Sequence, residues 1–307
     1  MTTAILPDAA ATNWVDRHAP EGLRPWLKLG RFDRPAGIWL LMLPGWQGIA
    51  LAAAGKGQWP NPWLLIAFFV GAALMRAAGC AFNDIVDRDF DAQVSRTAMR
   101  PIPAGLISVR QAWAFVIGCC LVSFGILVCL GWLAVGLGVL SLGLVAAYPF
   151  MKRITWWPQA WLGLTFNWGA LLGYAAATHR LDWSAALLYA SGFFWTLGYD
   201  TIYAIQDIED DALVGVKSSA RRLGSGVRRG VAIFYSLAAI LALIAGWTGG
   251  LGFPFYFLWL FYAAHLAWQS FKVKPGDGPL ALRLFRSNRD AGLLLAIALA
   301  LGAMRWS

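Results

Sequence analysis

The chain is 307 residues long, 59% apolar and only 13% charged, with a net charge of +9. Its mean hydropathy is +0.58. A soluble protein carries about twice that charged fraction, so a water-soluble globular enzyme is excluded and a membrane protein is expected.

The first thirty residues carry Asp8, Asp16 and Glu21 and lack an apolar core of their own, so no cleavable leader is expected there. Trp14, Trp26 and Leu27, set among Arg24 and Lys28, predict a segment lying along the membrane surface. Crossing a hydrocarbon layer takes about 20 mostly apolar residues. About nine such stretches follow: 35–54, 60–82, 111–130, 131–149, 158–178, 183–205, 229–249, 250–270 and 289–306. The joins near 130 and 250 are tight. Apolar residues run continuously instead of alternating, which disfavours a β-barrel. No linker divides the chain. The expectation is an all-α, polytopic integral membrane bundle: an interfacial segment over 1–34, then a single membrane domain over 35–307.

The basic residues fix the orientation. With a cytoplasmic N-terminus, all but four of the 25 lysines and arginines fall on the inner side. Lys56, Arg180 and Arg305 lie outside, and Arg76 lies within the second stretch. This is the positive-inside bias. It accounts for the basicity without a nucleic-acid partner, and Arg100, Arg110, Arg228 and Arg229 are read as topogenic only. Cys80, Cys119, Cys120 and Cys129 fall inside apolar stretches with no ligand spacing to the histidines, so they read as small buried hydrophobes. Trp59, Trp63, Trp156, Trp157, Trp183 and Trp306 fall near stretch ends, where aromatic belts form.

Acid is scarce and clustered. Asp84, Asp87, Asp89 and Asp91 close the second stretch; Asp200, Asp207, Glu209, Asp210 and Asp211 close the sixth. An even number of stretches lies between them, so both clusters face the cytoplasm, where they can converge. On a helix, Asp84, Asp87 and Asp91 share one face, as do Asp200, Tyr203, Asp207 and Asp211. One such stripe reads equally well as a solvated helix end; two on the same side are harder to dismiss. Carboxylates packed this closely repel unless a cation sits among them, and hard oxygen donors suit Mg²⁺ held together with phosphate oxygens. Arg76, two turns before Asn83 within an apolar stretch, needs an anion. Arg96, Lys152, Arg153 and Lys217 lie in loops on the same side. The chemistry this favours is phosphate-ester chemistry at a membrane.

Four separated blocks then carry a resemblance. They are Arg31-x-Asp33-Arg34-Pro35-x-Gly37; Asn83-Asp84-x-x-Asp87-x-x-x-Asp91 with Arg96-Thr97 and Arg100-Pro101-Ile102-Pro103-x-Gly105; Tyr148-Pro149-x-x-Lys152-Arg153; and Asp200-x-x-Tyr203-Ala204-x-x-Asp207-x-x-x-Asp211. Together they resemble the UbiA family of intramembrane aromatic prenyltransferases. The run Asp200 to Asp207, followed by Gly215-Val216-Lys217-Ser218-Ser219, is most similar to the branch that prenylates 4-hydroxybenzoate in ubiquinone synthesis.

The resemblance implies nine transmembrane helices around a central cavity, capped by the loops after the second and sixth. It implies one Mg²⁺ on Asp84, Asp87 and Asp91 and a second on Asp207 and Asp211. Asn83, Arg96, Lys152 and Lys217 would contact the pyrophosphate of a polyprenyl donor, and Asp200 and Tyr203 would sit nearer the reacting carbon. The carboxylate of 4-hydroxybenzoate needs a cation, for which Arg153 is the candidate, with Lys152 or Arg34 as alternatives. Two rivals stay open: a related transferase acting on haem, dihydroxynaphthoate or homogentisate, and a divalent-cation transporter. The N-terminus is not the acid-poor, Arg- and Ser-rich stretch of a transit peptide, so a bacterial inner membrane is expected, with the site facing the cytoplasm.

Overall fold

The computed structural model of the chain describes residues 13–93, 97–208 and 215–304. Arg96, Glu209, Asp210, Asp211, Arg305 and Trp306 lie outside the described residues, as does the side chain of Lys152. The elements are α-helical: α1 (Trp14–His18), α2 (Arg24–Leu29), α3 (Ala36–Gly55), α4 (Pro62–Asp91), α5 (Val109–Val128), α6 (Trp132–Ile154), α7 (Pro158–Thr178), α8 (Trp183–Tyr203), α9 (Ser219–Leu223), α10 (Val227–Thr248), α11 (Phe253–Lys272) and α12 (Gly278–Leu301). Short 3₁₀ turns cover Glu21–Leu23, Ala204–Asp207 and Gly224–Gly226.

Each of the nine expected stretches coincides with a helix of 20 residues or more. Five segments are long and apolar enough to cross a membrane on those grounds alone: Ala36–Ala54, Pro62–Asp91, Val109–Val128, Trp132–Met151 and Ser219–Thr248. Proline marks several starts, in the first turns of α2, α7, α11 and α12, where its missing N–H would be unpaired anyway. Both tight joins turn on glycine with positive φ, Gly131 at 96° and Gly250 at 68°, a region closed to most side chains. Trp63, Trp132 and Trp183 open α4, α6 and α8, Trp247 closes α10, and all four are exposed. That is how an aromatic belt is placed.

The contacts divide the chain into two compact units, 1–39 with 69–129 and 40–68 with 130–307. In the first unit Leu29 is buried with Ala77, Ala81, Ile85, Ile102, Ile107 and Val116, and Trp26 packs on that core. Trp26 also stacks at 5.9 Å on Phe115. The end of the expected surface segment is therefore built into the unit. Cys80 and Cys119 are buried as expected, whereas Cys129 is exposed at the end of α5.

In the second unit α8 packs against α7, α10 and α12, and α11 packs against α10 and α12. Its core holds Trp195, Tyr199, Tyr235, Phe255 and Tyr262, all fully buried. A polar knot ties four helices: Trp195 Nε1 (2.9 Å) and Tyr235 Oη (3.2 Å) donate to Asn288 Oδ1, and Asn288 Nδ2 donates to Gln269 Oε1 (2.9 Å). Helices α3 and α7 meet backbone to backbone. A Cβ at Gly48 would strike the carbonyl of Ala170, and one at Gly173 the carbonyl of Gly45. Small residues at such crossings are how helices associate in lipid.

Candidate active site

In the first unit, α4 runs nine residues past the expected stretch end and keeps the acidic run helical. Asp84, Asp87 and Asp91 are buried, at 1%, 6% and 8% exposure. The side chain of Asp89, off that face, is 77% exposed. The expected shared face is present, and it points inward.

Two arginines neutralise it. Arg31 follows α2 with a φ of 60° and is itself buried. Its Nη2 donates to both oxygens of Asp84, at 2.6 and 2.9 Å, and its Nη1 donates to the Lys28 carbonyl at 3.0 Å. Burial alone would lower the Arg31 pKa, but the Asp84 carboxylate outweighs it and carries the guanidinium above its ordinary value. Arg100 Nη1 bridges Asp84 (3.2 Å) and Asp91 (2.7 Å).

The reading of Arg100 as merely topogenic is thus corrected: it lies within the acidic face. The loop holds it there. Thr97 Oγ1 donates to the Asp91 carbonyl at 2.9 Å, Gly105 turns the chain at φ 71°, and Ile102 and Ile107 anchor the loop in the core. Sequence reasoning placed neither Arg31 nor Arg100 in the site. The available signal was the inward-facing acid stripe itself, which demands countercharge, and both arginines stand in the blocks that carried the resemblance.

Arg34 donates to Asp33 Oδ2 through Nε (3.3 Å) and Nη2 (3.2 Å). Arg76 packs against Gly37 so closely that a Cβ there would lie 2.6 Å from its Nε. At the other end of the N-terminal segment, Lys28 pairs with Asp16 at 2.7 Å. Burial raises the Asp16 carboxyl, but hydrogen bonds from Lys28 and Asn13 overcome this and leave its pKa below the usual value.

The donor set fits a hard cation in part. Among the described residues no three histidine, cysteine or carboxylate side chains gather as a ready-made metal cluster. Mg²⁺ is ordinarily held by one or two carboxylates, its other positions going to water and phosphate. The buried Oδ1 of Asn83 has no donor among the described residues, and a buried acceptor in that state suits a cation or a ligand donor.

In the second unit Asp200, Tyr203 and Asp207 are half-buried, between fully buried Thr201, Ile202 and Ile205. The expected continuous helical face is corrected here. Helix α8 ends at Tyr203 and the chain tightens into the 3₁₀ turn Ala204–Asp207. A 3₁₀ turn has three residues per turn against 3.6, which rotates Asp207 off the line set by Asp200.

Tyr203 stands 4.6 Å from the ring of Phe285 on α12, centroid to centroid. Residues 215–219 return to the unit through three bonds. Thr201 Oγ1 and Ser219 Oγ lie 2.7 Å apart, Ser219 N donates to Gln159 Oε1 (2.9 Å), and Lys217 Nζ donates to the Ile154 carbonyl (3.2 Å). This brings Lys217 to the end of α6, the turn that carries exposed Arg153.

An all-helical membrane protein with an inward acidic stripe braced by arginines is an enzyme class suited to anionic, lipid-borne substrates. The comparisons make this specific: the profile of the UbiA prenyltransferase family matches residues 41–303, and the chain belongs to that family. It is 46% identical over 301 residues to the protein named 4-hydroxybenzoate polyprenyltransferase, mitochondrial, of Mus musculus, covering 97% of this chain and 79% of that one. A UbiA homologue from Aeropyrum pernix K1 superposes with a TM-score of 0.72 at 26% identity, over 85% of this chain and 96% of its own. A UbiA homologue from Archaeoglobus fulgidus, solved with GPP and Mg²⁺, has the same fold, with a TM-score of 0.62 at 18% identity over 91% of this chain and 98% of its own.

The relatives also overturn the expected bacterial inner membrane. Curated relatives from animals and plants alike are named as mitochondrial. The composition of one short N-terminal stretch does not determine which membrane receives the helices.

Proposed function

We infer that this protein transfers a polyprenyl group from polyprenyl diphosphate to the ring carbon ortho to the hydroxyl of 4-hydroxybenzoate, releasing diphosphate, in ubiquinone biosynthesis. The observation that carries the inference is the 46% identity, over 97% of the chain, to a relative named for that activity. The catalytic domain we propose covers 35–307 with the segment 1–34 ahead of it, a boundary supported by the family match over 41–303.

We assign metal binding to Asp84, Asp87 and Asp91, and to Asp207 and Asp211, for two Mg²⁺ ions. Bound there, Mg²⁺ supplies positive charge to the oxygens of the departing diphosphate. Asn83, Arg96, Arg76, Arg34, Lys152 and Lys217 are assigned to the substrate's anionic groups. Arg153 receives the carboxylate of 4-hydroxybenzoate through a planar, two-donor guanidinium.

Departure of diphosphate leaves an allylic cation. Tyr203, backed by Phe285, offers it an aromatic face, and Asp200 orients the reacting carbon. Apolar walls keep out the water that would quench the cation. The ring carbon attacks and then loses its proton, so no nucleophilic side chain is needed.

The test is an assay of washed membranes containing the protein with 4-hydroxybenzoate, a polyprenyl diphosphate and Mg²⁺. Prenylated 4-hydroxybenzoate should form only when all three are present. Label appearing in dihydroxynaphthoate or homogentisate instead would reassign the acceptor, and metal flux into vesicles without prenyl turnover would replace the transferase by a transporter.

A further inference from the structure

Away from the acidic residues, the second unit carries a groove of about 860 Å³ between α10 and α11. Its lining includes short side chains: Ala232, Ser236 and Ala239 from α10, and Ala263 and Ala267 from α11. On each helix these recur every three or four residues, so they form one stripe. Bulkier Tyr235 and Ile240 on α10 and Leu266 on α11 complete its lining. Trp259 closes its deep end, held by a 2.9 Å hydrogen bond from Nε1 to the Ala239 carbonyl. From Arg229 to Ile240 the groove runs about 16 Å along α10, enough for most of one acyl chain.

The other end is cationic. Arg228 and Arg229 line the mouth and are exposed. The Arg228 guanidinium lies 5.8 Å from the Phe271 ring, which keeps it over the opening. Among the described residues neither arginine is paired with a carboxylate. Ser225 and Gly226 at the same mouth precede the first turn of α10, which has no side-chain cap. An apolar channel with guanidinium donors at one end is complementary to a lipid whose head bears negative charge. No aspartate or glutamate lines the groove, so nothing in it would hold the metal that accompanies a diphosphate.

We propose that this groove binds an anionic glycerophospholipid of the leaflet at the chain's basic side, one acyl chain between α10 and α11 and its phosphate on Arg228 and Arg229. The site is separate from the residues assigned to catalysis. Its occupant is part of the bilayer and not a substrate.

The full-length protein, delipidated in detergent, is offered phosphatidylglycerol or phosphatidylcholine, and bound lipid is counted by native mass spectrometry. The wild type should retain phosphatidylglycerol preferentially. The double variant Arg228→Gln, Arg229→Gln should lose that preference by about tenfold, while Lys274→Gln, an exposed charge outside the groove, should keep it. Ala263→Trp, which fills the channel and leaves the charges, should lower retention of both lipids; the arginine variants, being at exposed positions, decide the matter if it fails to fold. Equal retention of the two lipids by the wild type would reduce the groove to a packing defect and overturn the proposal. So would an unchanged preference in the double arginine variant. Displacement of phosphatidylglycerol by inorganic phosphate alone would make this a soluble-anion site and overturn it as well.

Discussion

Arg31 Nη2 donates to both carboxylate oxygens of Asp84, at 2.6 and 2.9 Å, with both side chains buried. A buried pair of this kind adds little net stability over an apolar pair, yet removing one partner leaves a charge stranded, at a cost of about 3–5 kcal/mol. Arg31→Ala should therefore lower stability by about 3 kcal/mol, since Arg100 still touches Asp84. Thermal unfolding in detergent reads this. The double variant Arg31→Ala, Asp84→Ala should lose clearly less than the two single losses added, and simple additivity would show that the contact is not energetically coupled.

The glycines separate close packing from conformational cost. At Gly48 an added Cβ meets the Ala170 carbonyl, a backbone atom that cannot step aside. Gly48→Ala should destabilise by about 1–3 kcal/mol, the usual range for overpacking. At Gly71 and Gly118, inside α4 and α5, nothing lies within 4 Å, so alanine there should be neutral or stabilise by up to about 1 kcal/mol. Gly37→Ala is intermediate, because its neighbour is the Arg76 guanidinium, which can move. It should fold normally and lose turnover as Arg76 shifts. Melting curves and activity on the four variants check the ranking.

These cases mark what could be read from sequence. Continuous apolar runs located the long helices among the described residues, because such a run has few other solutions in lipid. Helix ends were less legible. Helix α4 continues to Asp91 since its acidic turns are buried against arginines from other segments, and α12 starts at Gly278 where Asp277 caps it, its side chain accepting from Leu280 N. Composition gives no warning of either.

That Asp84, Asp87 and Asp91 share one face followed from spacing, whereas a solvated helix end fitted that spacing as well, and only the fold shows the face buried. The partners did not follow from spacing: Arg31 lies 53 residues before Asp84, and only folding reveals that pairing. The 3₁₀ turn that shifts Asp207 was equally invisible, since Ala204-Ile205-Gln206 would serve an α-helix as well.

Arg100 brings a positive charge within 3.2 Å of Asp84 and 2.7 Å of Asp91, where it opposes a cation arriving at the same carboxylates. A unit charge a few ångströms away at intermediate dielectric is worth about 1–3 kcal/mol. Arg100→Gln should therefore lower the Mg²⁺ concentration for half-saturation by about tenfold, measured by calorimetry on the purified protein. Weaker Mg²⁺ binding would mean that Arg100 organises the aspartates more than it repels the ion.

Metal dependence should be visible from either acidic set. Asp84→Ala and Asp207→Ala should each abolish turnover while membrane insertion is retained. EDTA should silence the wild type, and added Mg²⁺ should restore it. Asp84→Ala should also unfold at lower temperature, because it strands buried Arg31. Asp207 is half-buried on a short turn, so its replacement should leave the melting temperature nearly unchanged. Full activity in either variant would remove that residue from the metal-binding set.

Arg153 tests the acceptor. It is exposed at the last turn of α6, beside the Ile154 carbonyl that receives Lys217 Nζ at 3.2 Å. A guanidinium can meet a carboxylate with two parallel donors, which lysine cannot. Losing such a charge-assisted contact costs about 1.5–3 kcal/mol. Arg153→Ala should accordingly raise the KM for 4-hydroxybenzoate by about 10- to 100-fold, with little change in the KM for the polyprenyl diphosphate. Arg153→Lys should recover only part of the loss. Steady-state kinetics with each substrate varied in turn separates the outcomes: an equal rise in both KM values would move Arg153 to the diphosphate, and no rise in either would leave the carboxylate to Lys152 or Arg34.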